Sequence, residues 1–399
     1  MASQQLLIAG GGIGGFAAAL AAVRAGWDVR LFERASQFAE VGAGIQLGPN
    51  VTRILHAWGL QDALRAVAAF PVRLQVRNAA SGQELGVLPL GSRMQERYGA
   101  PYVAIHRADF HGLLADAAAG VANVHLNLDH GIVDFHDDGR VVTVRGSHGP
   151  QVEGDALIGA DGLWSRVREK LLADGHPRAT GHLAYRAMLR QSALPERLRS
   201  DQVTAWLGPG LHLVQYPVRA GEWMNVVAIV HGQAPVGAQD WDHEAHAADL
   251  RRVMGGTCSK LQDLIAAVGE STVNEHPWRL WPLADRPPLT GAGQMARGLV
   301  GLLGDAAHPM RPYLAQGAGM AVEDAAELGY ALSMDAVDVS TRLKRYALSR
   351  WQRCARVQAR AIRNGRIFHA TGLVRVGRDA SIKLLGPRLL DVPWLYASS

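Results

Sequence analysis

The chain has 399 residues, of which 48% are hydrophobic and 19% are charged. This composition excludes general disorder, and the length predicts two or more domains. The chain contains only two cysteines, Cys258 and Cys354, which excludes a disulfide scaffold and an all-cysteine metal centre and suits a cytoplasmic location. The longest apolar runs fall short of the roughly 18 residues that a membrane span needs. The formal charge of +5 can attract anions without indicating nucleic acid.

The first predicted elements are a strand at residues 5–9, an Ala- and Leu-rich helix at 13–25 and a second strand at 28–32. A further helix is predicted after Pro49, ending at Gly59. These elements form a strand–helix–strand unit at the start of the chain.

The middle of the chain has the alternating pattern of antiparallel strands. Such strands are predicted near 72–76 and at 184–189, 202–207, 211–216 and 225–230, with a helix at 106–119. A buried strand is predicted at 298–303, followed by helices at 317–332 and 343–367. The sequence therefore predicts an α/β fold in which a Rossmann-like nucleotide domain recurs along the chain. A mostly antiparallel, β-rich domain is inserted between its segments.

Gly10, Gly12 and Gly15 form a G-x-G-x-x-G fingerprint between the first strand and the first helix. Such glycines permit a tight turn, a close approach to pyrophosphate and close packing of helix on strand. Glu33 ends the next strand, where a carboxylate can accept hydrogen bonds from ribose hydroxyls. The pattern predicts a dinucleotide site but does not choose between NAD and FAD.

Two later segments make that choice. One is Gly-Ala-Asp-Gly at 159–162 with Ser165 and Arg166, and the other is Gly-Asp-Ala-Ala-His-Pro at 304–309 with Gly-Ala-Gly at 317–319. With the fingerprint, and in this order, they resemble the dinucleotide, DG and GD motifs of single-component FAD-dependent aromatic hydroxylases. The resemblance extends over about residues 5–370.

The resemblance implies non-covalent FAD, with NADH or NADPH as co-substrate. It implies an FAD-binding domain at 1–71, 100–180 and 276–337, a substrate domain at 72–99 and 181–275, and a C-terminal helical segment at 338–399. The residues that it implies as cofactor contacts, besides the fingerprint glycines, are Glu33, Arg34, Gln46 in the loop at 41–46, Arg107, Asp161, Asp305, Gly317, Ala318 and Gly319.

The resemblance also implies that NAD(P)H reduces the flavin and that O₂ supplies a hydroxyl oxygen to a phenolic acid. A phenolate is more electron-rich than a phenol, so we expect a base near the phenol oxygen. His212 and Tyr216 share one face of a predicted strand and are the predicted catalytic residues, and Gln215 is a further candidate contact. His212 would take the phenol proton and Tyr216 would bind the substrate carboxylate.

The segment at 207–222 resembles that of 3-hydroxybenzoate 6-hydroxylases, and this reaction is the favoured prediction. Pro312, a predicted substrate contact, stands where relatives have a glutamine that assists the histidine, which is typical of salicylate hydroxylase-like members. Salicylate or hydroxypyridine-carboxylate hydroxylation therefore stays open, as does a flavoprotein that does not hydroxylate.

Other interpretations also stay open. His212 and Tyr216 could be structural, and Arg186 could bind a carboxylate, a phosphate of NAD(P)H or a structural acid. A stripe of arginines on the last long helix indicates a solvated or salt-bridged face, an anionic membrane surface or an anion-binding module: Arg350, Arg353, Arg356, Arg360, Arg363 and Arg366. The resemblance implies a homodimer. Neither a metal site nor a nucleic-acid partner is predicted.

Overall fold

The computed structural model describes residues 3–37, 43–233, 243–244, 247–269 and 278–397. The strands are β1 (Gln5–Ala9), β2 (Asp28–Phe32), β3 (Gly44–Leu47), β4 (Arg73–Asn78), β5 (Glu84–Pro89), β6 (Val103–His106), β7 (Val124–Asn127), β8 (Ile132–Asp137), β9 (Val142–Gly146), β10 (Val152–Gly154), β11 (Ala156–Gly159), β12 (Arg178–Arg190), β13 (Val203–Gly208), β14 (Leu211–Val218), β15 (Trp223–His231), β16 (His243–Glu244), β17 (Arg279–Asp285), β18 (Ala296–Arg297) and β19 (Val300–Leu302).

The α-helices are α1 (Ile13–Arg24), α2 (Pro49–Ala57), α3 (Gln61–Val67), α4 (Gly91–Tyr98), α5 (Arg107–Ala119), α6 (Arg166–Leu172), α7 (Ala247–Val253), α8 (Ser259–Gly269), α9 (Gly317–Leu332), α10 (Val339–Phe368), α11 (Gly372–Leu385), α12 (Pro387–Leu390) and α13 (Pro393–Tyr396). In the described ranges, none of them combines the length and the hydropathy that crossing a bilayer requires.

The first of two compact units comprises Met1–Val41, Ala108–Arg178 and Ala284–Ile362. Its main sheet has the strand order β18-β19-β11-β1-β2-β7, in which β1 pairs in parallel with both β2 and β11. Leu6, Leu7 and Ile8 are fully buried, as expected for a parallel strand covered on both faces. This unit has the predicted Rossmann-like fold.

The second unit comprises Gly42–Arg107, Ala179–Leu283 and Arg363–Ser399. Its main sheet has the order β16-β17-β12-β15-β14-β13-β4-β5, mostly antiparallel, with β13 and β4 parallel. One face packs on α7 and α8 through a core that includes Leu213, Val226, Leu261 and Ile265. The opposite face carries the polar side chains described below.

The observed units divide the chain differently from the predicted domains. Residues 43–71 and 100–107 lie in the second unit, where β3 pairs with β6 and the Gly44 N–H donates to Asn225 Oδ1 over 2.7 Å. The C-terminal segment is not a separate unit. Tyr346 donates to the Leu302 carbonyl in the first unit, whereas Asn78 donates to Asp379 in the second. Long-range contacts that local patterns do not contain therefore set the boundaries.

Candidate functional site

The glycine-rich turn between β1 and α1 has the backbone that a dinucleotide site requires. Gly10 has a φ of +103°, which L side chains rarely adopt, and a Cβ at Gly15 would lie 1.9 Å from the Gly10 carbonyl oxygen. A Cβ at Gly12 would instead meet no atom within 4 Å. The fold itself needs Gly10 and Gly15, whereas the open space beside Gly12, at the N-terminus of α1, suits a pyrophosphate.

Glu33, at the end of β2, lies against this turn. Its Oε2 accepts a hydrogen bond from the Gly11 N–H over 2.7 Å, and the exposed Arg34 follows it. The His111 ring nitrogen Nε2 lies 2.6 Å from the Gly11 carbonyl oxygen, so that nitrogen carries the proton and donates. The carboxylate therefore lies at the edge of the turn, where a ribose contact was predicted.

Asp161 of the DG motif holds the start of α6. Its carboxylate accepts a hydrogen bond from the Arg166 N–H over 2.8 Å. From the same helix, the buried Arg168 donates to the carbonyl oxygens of Ala306, over 3.1 Å, and Ala307, both in the GD motif. The helix that follows the DG motif thus stabilises the GD turn through hydrogen bonds. The cofactor contact predicted for Asp161 stays a prediction.

The GD motif places an exposed carboxylate near an open helix terminus. Asp305 lies in a single 3₁₀ turn after β19, and Pro312 begins another short turn before α9. α9 begins at Gly317, where a Cβ would meet no atom within 4 Å. The N–H groups of residues 317–319 therefore lie in a first helical turn, where backbone donors lack intrahelical partners. Together with Gly12, these residues fit the predicted FAD.

A buried ionic network adjoins the GD turn. His308 Nε2 lies 2.5 Å from Asp324 Oδ2, and Arg350 donates to Asp324 over 2.7 Å and to Glu323 over 2.9 Å. Burial disfavours a charged imidazole, but the Asp324 carboxylate outweighs it and raises the pKa of His308 well above its usual value. Arg353 also binds Glu323, so the first two arginines of the stripe are salt-bridged to α9.

In the second unit, β14 presents His212 and Tyr216 on one face, while Leu213 points into the core. Gln215 lies on the core face, where its Oε1 accepts a hydrogen bond from the Trp206 indole N–H over 3.1 Å. The two-residue period of the strand separates Gln215 from the other two candidates. The substrate contact predicted for Gln215 stays a prediction, with its side chain on the face opposite His212 and Tyr216.

Tyr216 is buried against the segment that contains β3. Its hydroxyl donates to the Gly44 carbonyl oxygen over 2.6 Å, and burial raises the pKa of Tyr216 to about 12. Gln46 accepts a hydrogen bond from the Tyr102 hydroxyl over 2.5 Å. Asn225 is fully buried, and its Nδ2 has no hydrogen-bond partner within the described part of the chain. Of the predicted loop at 41–46, residues 41 and 42 lie outside the described residues.

Arg186 lies on the same sheet face as Tyr216. Arg186 pairs with Val227 on β15, and Tyr216 pairs with Asn225 on the same strand. Val227 and Asn225 are two positions apart, so both pairs lie on one face of the sheet. Its guanidinium carbon lies 4.0 Å from the centroid of a Trp281 ring. Among the residues that the structure describes, no carboxylate pairs with Arg186, and burial lowers its pKa to about 10. This cation is placed to bind an organic anion.

Arg107, a predicted cofactor contact, is the first residue of α5, and its N–H donates to the Ala43 carbonyl oxygen over 2.8 Å. Like Gln46, it belongs to the second unit, whereas the glycine fingerprint, Asp161 and Asp305 belong to the first.

His212 belongs to a cluster of four histidines within the second unit. Its Nδ1 lies 2.7 Å from His369 Nε2, and His369 Nδ1 lies 3.0 Å from His231 Nε2. His182 stacks on His369 with ring centroids 5.1 Å apart. Burial, followed by the neighbouring histidines, holds the pKa of His212 well below its usual value and lowers the pKa of His369 to about 3. These buried imidazoles are therefore neutral near pH 7.

Two groups of side chains are close enough to hold a metal ion. One is His182, His231 and His369, and the other is His308, Asp324 and Cys354. His369 already pairs with His231, and Asp324 already pairs with His308 and Arg350. Members of both groups thus already make hydrogen bonds or ion pairs with protein side chains.

Sequence reasoning did not identify three polar residues near the predicted ones: His111, Asn225 and His369. His369 is 157 residues from His212 and belongs to no motif. Asn225 could have been identified from the sequence, because it is a polar residue in a predicted buried strand that is rich in Val and Ile. A buried amide of this kind needs a hydrogen-bond partner. The pairing of Asn225 with Tyr216 is known only from the sheet register.

A family model described as an FAD binding domain matches residues 3–211 and 218–361. The chain is 39% identical over 394 residues to the 3-hydroxybenzoate 6-hydroxylase of Polaromonas naphthalenivorans (strain CJ2), covering 98% of this chain and 95% of that protein. It is 36% identical over 358 residues to the 6-hydroxynicotinate 3-monooxygenase of Bordetella bronchiseptica, covering 89% of each. The crystal structure of Klebsiella pneumoniae HpxO complexed with FAD and uric acid matches with a TM-score of 0.85 and 25% identity, covering 97% of this chain and 94% of that one. The matches extend over both compact units.

Proposed function

Since the chain belongs to the FAD binding domain family and is an FAD-dependent, NAD(P)H-using aromatic-ring monooxygenase, we propose that it hydroxylates a phenolic aromatic acid, most favourably 3-hydroxybenzoate at the 6-position. The observation that carries the choice of an acid is Arg186. This cation has no carboxylate partner among the described residues and shares a sheet face with His212 and Tyr216. The similarity to the Polaromonas hydroxylase supports the choice of the individual acid.

The residues of the second unit divide the work of holding the substrate. Arg186 binds the carboxylate through charge-assisted hydrogen bonds. The Nδ2 of Asn225 is the neighbouring donor on the next row of the sheet, beside Tyr216, whose hydroxyl already donates to Gly44. His212 is neutral near pH 7, so one of its ring nitrogens is available to accept the phenol proton. Loss of that proton leaves an electron-rich phenolate.

The first unit would hold FAD at Gly12, Asp305 and residues 317–319. When bound, FAD supplies the redox chemistry through which NAD(P)H and O₂ react. The fit rests on the two positions where an added Cβ would enter open space, Gly12 and Gly317.

Salicylate and hydroxypyridine carboxylates are the second candidate substrates. Pro312 favours them, because it stands where a glutamine would assist His212, and the Bordetella relative is named for 6-hydroxynicotinate. If Arg186 held the same carboxylate but the aromatic ring were rotated by one position, a different ring carbon would be hydroxylated and a different product isomer would form.

The test is to measure NAD(P)H oxidation by the FAD-loaded enzyme with each of these acids and to identify the products by mass spectrometry. Benzoate, which lacks the phenol, and 3-hydroxybenzyl alcohol, which lacks the carboxylate, are matched controls. We expect 3-hydroxybenzoate to give the greatest stimulation and a para-dihydroxy product. Equal stimulation by the alcohol would contradict the role of Arg186, and the absence of any hydroxylated product would contradict the proposed function.

The predicted homodimer and the predicted contact with an anionic membrane surface also stay predictions. Light scattering would determine the oligomeric state, and co-sedimentation with anionic vesicles would test the membrane contact. The pairing of Arg350 and Arg353 with Glu323 leaves fewer cations of the stripe for such a surface.

A further inference from the structure

A continuous line of imidazoles leads from the predicted catalytic base to the protein surface. His212 and His369 are buried, at 3% and 7% exposure, whereas His231 is exposed. The nitrogen separations along the line are 2.7 and 3.0 Å, and both are hydrogen-bond distances. The three residues come from β14, the turn directly after α10, and β15, so the fold assembles the line from distant parts of the chain.

Two sets of tautomers satisfy both hydrogen bonds in this line, one with every proton on Nδ1 and one with every proton on Nε2. Only the first set leaves Nε2 of His212 able to accept a proton. If each neutral imidazole carries its proton on Nδ1, His212 donates to His369 and His369 donates to His231. A neutral imidazole has one donor and one acceptor nitrogen, so this arrangement leaves Nε2 of His212 in its acceptor form. Nε2 is then the atom that meets a phenol O–H.

We propose that His369 and His231 form a proton path that carries the substrate's phenol proton from His212 to solvent. This inference rests on the proposed function, because it requires a phenolic substrate at His212. The phenol O–H bond breaks and its proton binds His212 Nε2, while the proton on His212 Nδ1 moves to His369 Nε2. The proton on His369 Nδ1 then moves to His231 Nε2, and His231 releases its Nδ1 proton to water.

The reverse transfers restore the original tautomers and return a proton to the product oxygen. Protons alone move in either direction, and neither an oxidant nor a reductant is needed. In the relatives that the sequence resembles, a glutamine assists the catalytic histidine, and Pro312 stands at that position here. The line of imidazoles would take over this assistance.

The charged and titratable groups around the line keep it neutral. His182 stacks on His369, and Arg378 adds a positive charge near His369. Arg378 itself pairs with Asp379, over 2.8 Å. A proton on either buried imidazole is therefore unstable relative to water, so a proton that enters the line leaves at the exposed end rather than remaining there.

The test uses the full-length, FAD-loaded enzyme and two variants of the line. His231→Asn changes an exposed side chain and is expected to fold normally, with His136→Asn as a control at another exposed strand histidine. His369→Gln keeps a hydrogen-bonding side chain but cannot relay a proton between two ring nitrogens. Product formation is measured from pH 6 to 9.5 with 3-hydroxybenzoate and with a ring-fluorinated analogue, whose phenol is more acidic.

We expect both line variants to form product about tenfold more slowly at pH 7, since general acid–base steps typically contribute a hundredfold or more. The deficit should shrink as pH rises towards about 10, where a phenol ionises in solution, and should be smaller for the fluorinated acid. FAD content and His136→Asn should match the unmodified enzyme.

Three results would overturn the path. One is a His231→Asn variant that forms product at the same rate and with the same pH profile as an active unmodified enzyme. Another is a His369→Gln variant with full activity, which would show that His369 only positions His212. The third is a deficit that is constant across pH and substrates. An unmodified enzyme that hydroxylates no aromatic acid would instead refute the proposed function, so the two failures are distinguishable.

Discussion

Gly12 and Gly15 are three residues apart in one motif but have opposite surroundings. A Cβ at Gly15 would collide with the Gly10 carbonyl oxygen at 1.9 Å, whereas one at Gly12 would enter open space. Gly15 therefore serves the fold and Gly12 serves the ligand.

We predict that Gly12→Ala unfolds like the unmodified apoprotein but binds FAD at least tenfold more weakly, a loss of about 1.4 kcal/mol. Gly15→Ala should lower the free energy of unfolding by about 3 kcal/mol or more, because the backbone must shift. Thermal unfolding of the apoprotein and a flavin fluorescence titration separate the two effects. Unchanged FAD affinity in Gly12→Ala would remove the pyrophosphate from this turn.

His212→Ala should slow hydroxylation by about a hundredfold and raise the release of hydrogen peroxide, while FAD stays bound. The reason is that the phenol keeps its proton and the ring stays less reactive. Product yield per NAD(P)H oxidised measures this coupling. Unchanged coupling and an unchanged pH profile would leave His212 with a structural role only.

Arg186→Met should raise KM for the aromatic acid by about 10- to 100-fold, because a hydrogen bond to a charged group contributes about 1.5–3 kcal/mol. Arg186→Lys should recover part of the loss, since it restores the charge without the planar fork. Steady-state kinetics check both variants, and 3-hydroxybenzyl alcohol is the control substrate, since it lacks the carboxylate. Equal effects on the acid and the alcohol would argue against a carboxylate contact.

At the scale of the elements, α9 and α10 are joined by buried charges. Asp324 is fully buried and is compensated by His308 and Arg350, and Arg350 also binds Glu323. Each charge is tolerated because its partners are present, and the removal of one partner leaves an uncompensated carboxylate.

We predict that Arg350→Met lowers the free energy of unfolding by about 3–5 kcal/mol. Arg363→Met on the same helix is the matched control, because Arg363 is exposed, and surface substitutions usually change stability by about 0.5 kcal/mol or less. Urea unfolding followed by tryptophan fluorescence compares the two. Equal effects at both positions would mean that helix propensity, and not the buried network, determines the result.

At the scale of the whole molecule, the histidines make stability depend on pH in two opposite directions. The pKa values of His212 and His369 are lowered in the folded state, so below about pH 6.5 the unfolded chain binds protons that the folded chain does not. Their contribution therefore destabilises the fold progressively as pH falls from about 6.5 towards the folded pKa values. The raised pKa of His308 acts the other way, because its contribution is present below about pH 6.5 and is lost as pH rises through the folded pKa.

We predict that His369→Gln reduces the loss of stability between pH 7 and pH 5, because one buried neutral imidazole is removed. The free energy of unfolding of the variant and the unmodified protein is measured at each pH, and the difference between the two curves cancels the shared contribution of His308. A parallel pair of curves would contradict the low pKa of His369.

The sequence by itself determined the local elements and the cofactor class of this protein. The predicted helix at 317–332 is confirmed as α9, and the glycine fingerprint lies in the predicted turn, because glycine spacing and helical periodicity act over a few residues. The same local evidence missed β8, Ile132–Asp137, whose His136 and acidic residues interrupt the apolar pattern of a strand.

Only the tertiary structure decided the surroundings of the reacting side chains. It placed Gln215 on the core face, left Arg186 without a carboxylate among the described residues, and brought His369 to His212 from the far end of the chain. The physical reason is that strand register and helix packing join residues that are more than a hundred positions apart. Short-range patterns carry no information about such pairs, although these pairs determine whether a histidine is neutral and which proton it can accept.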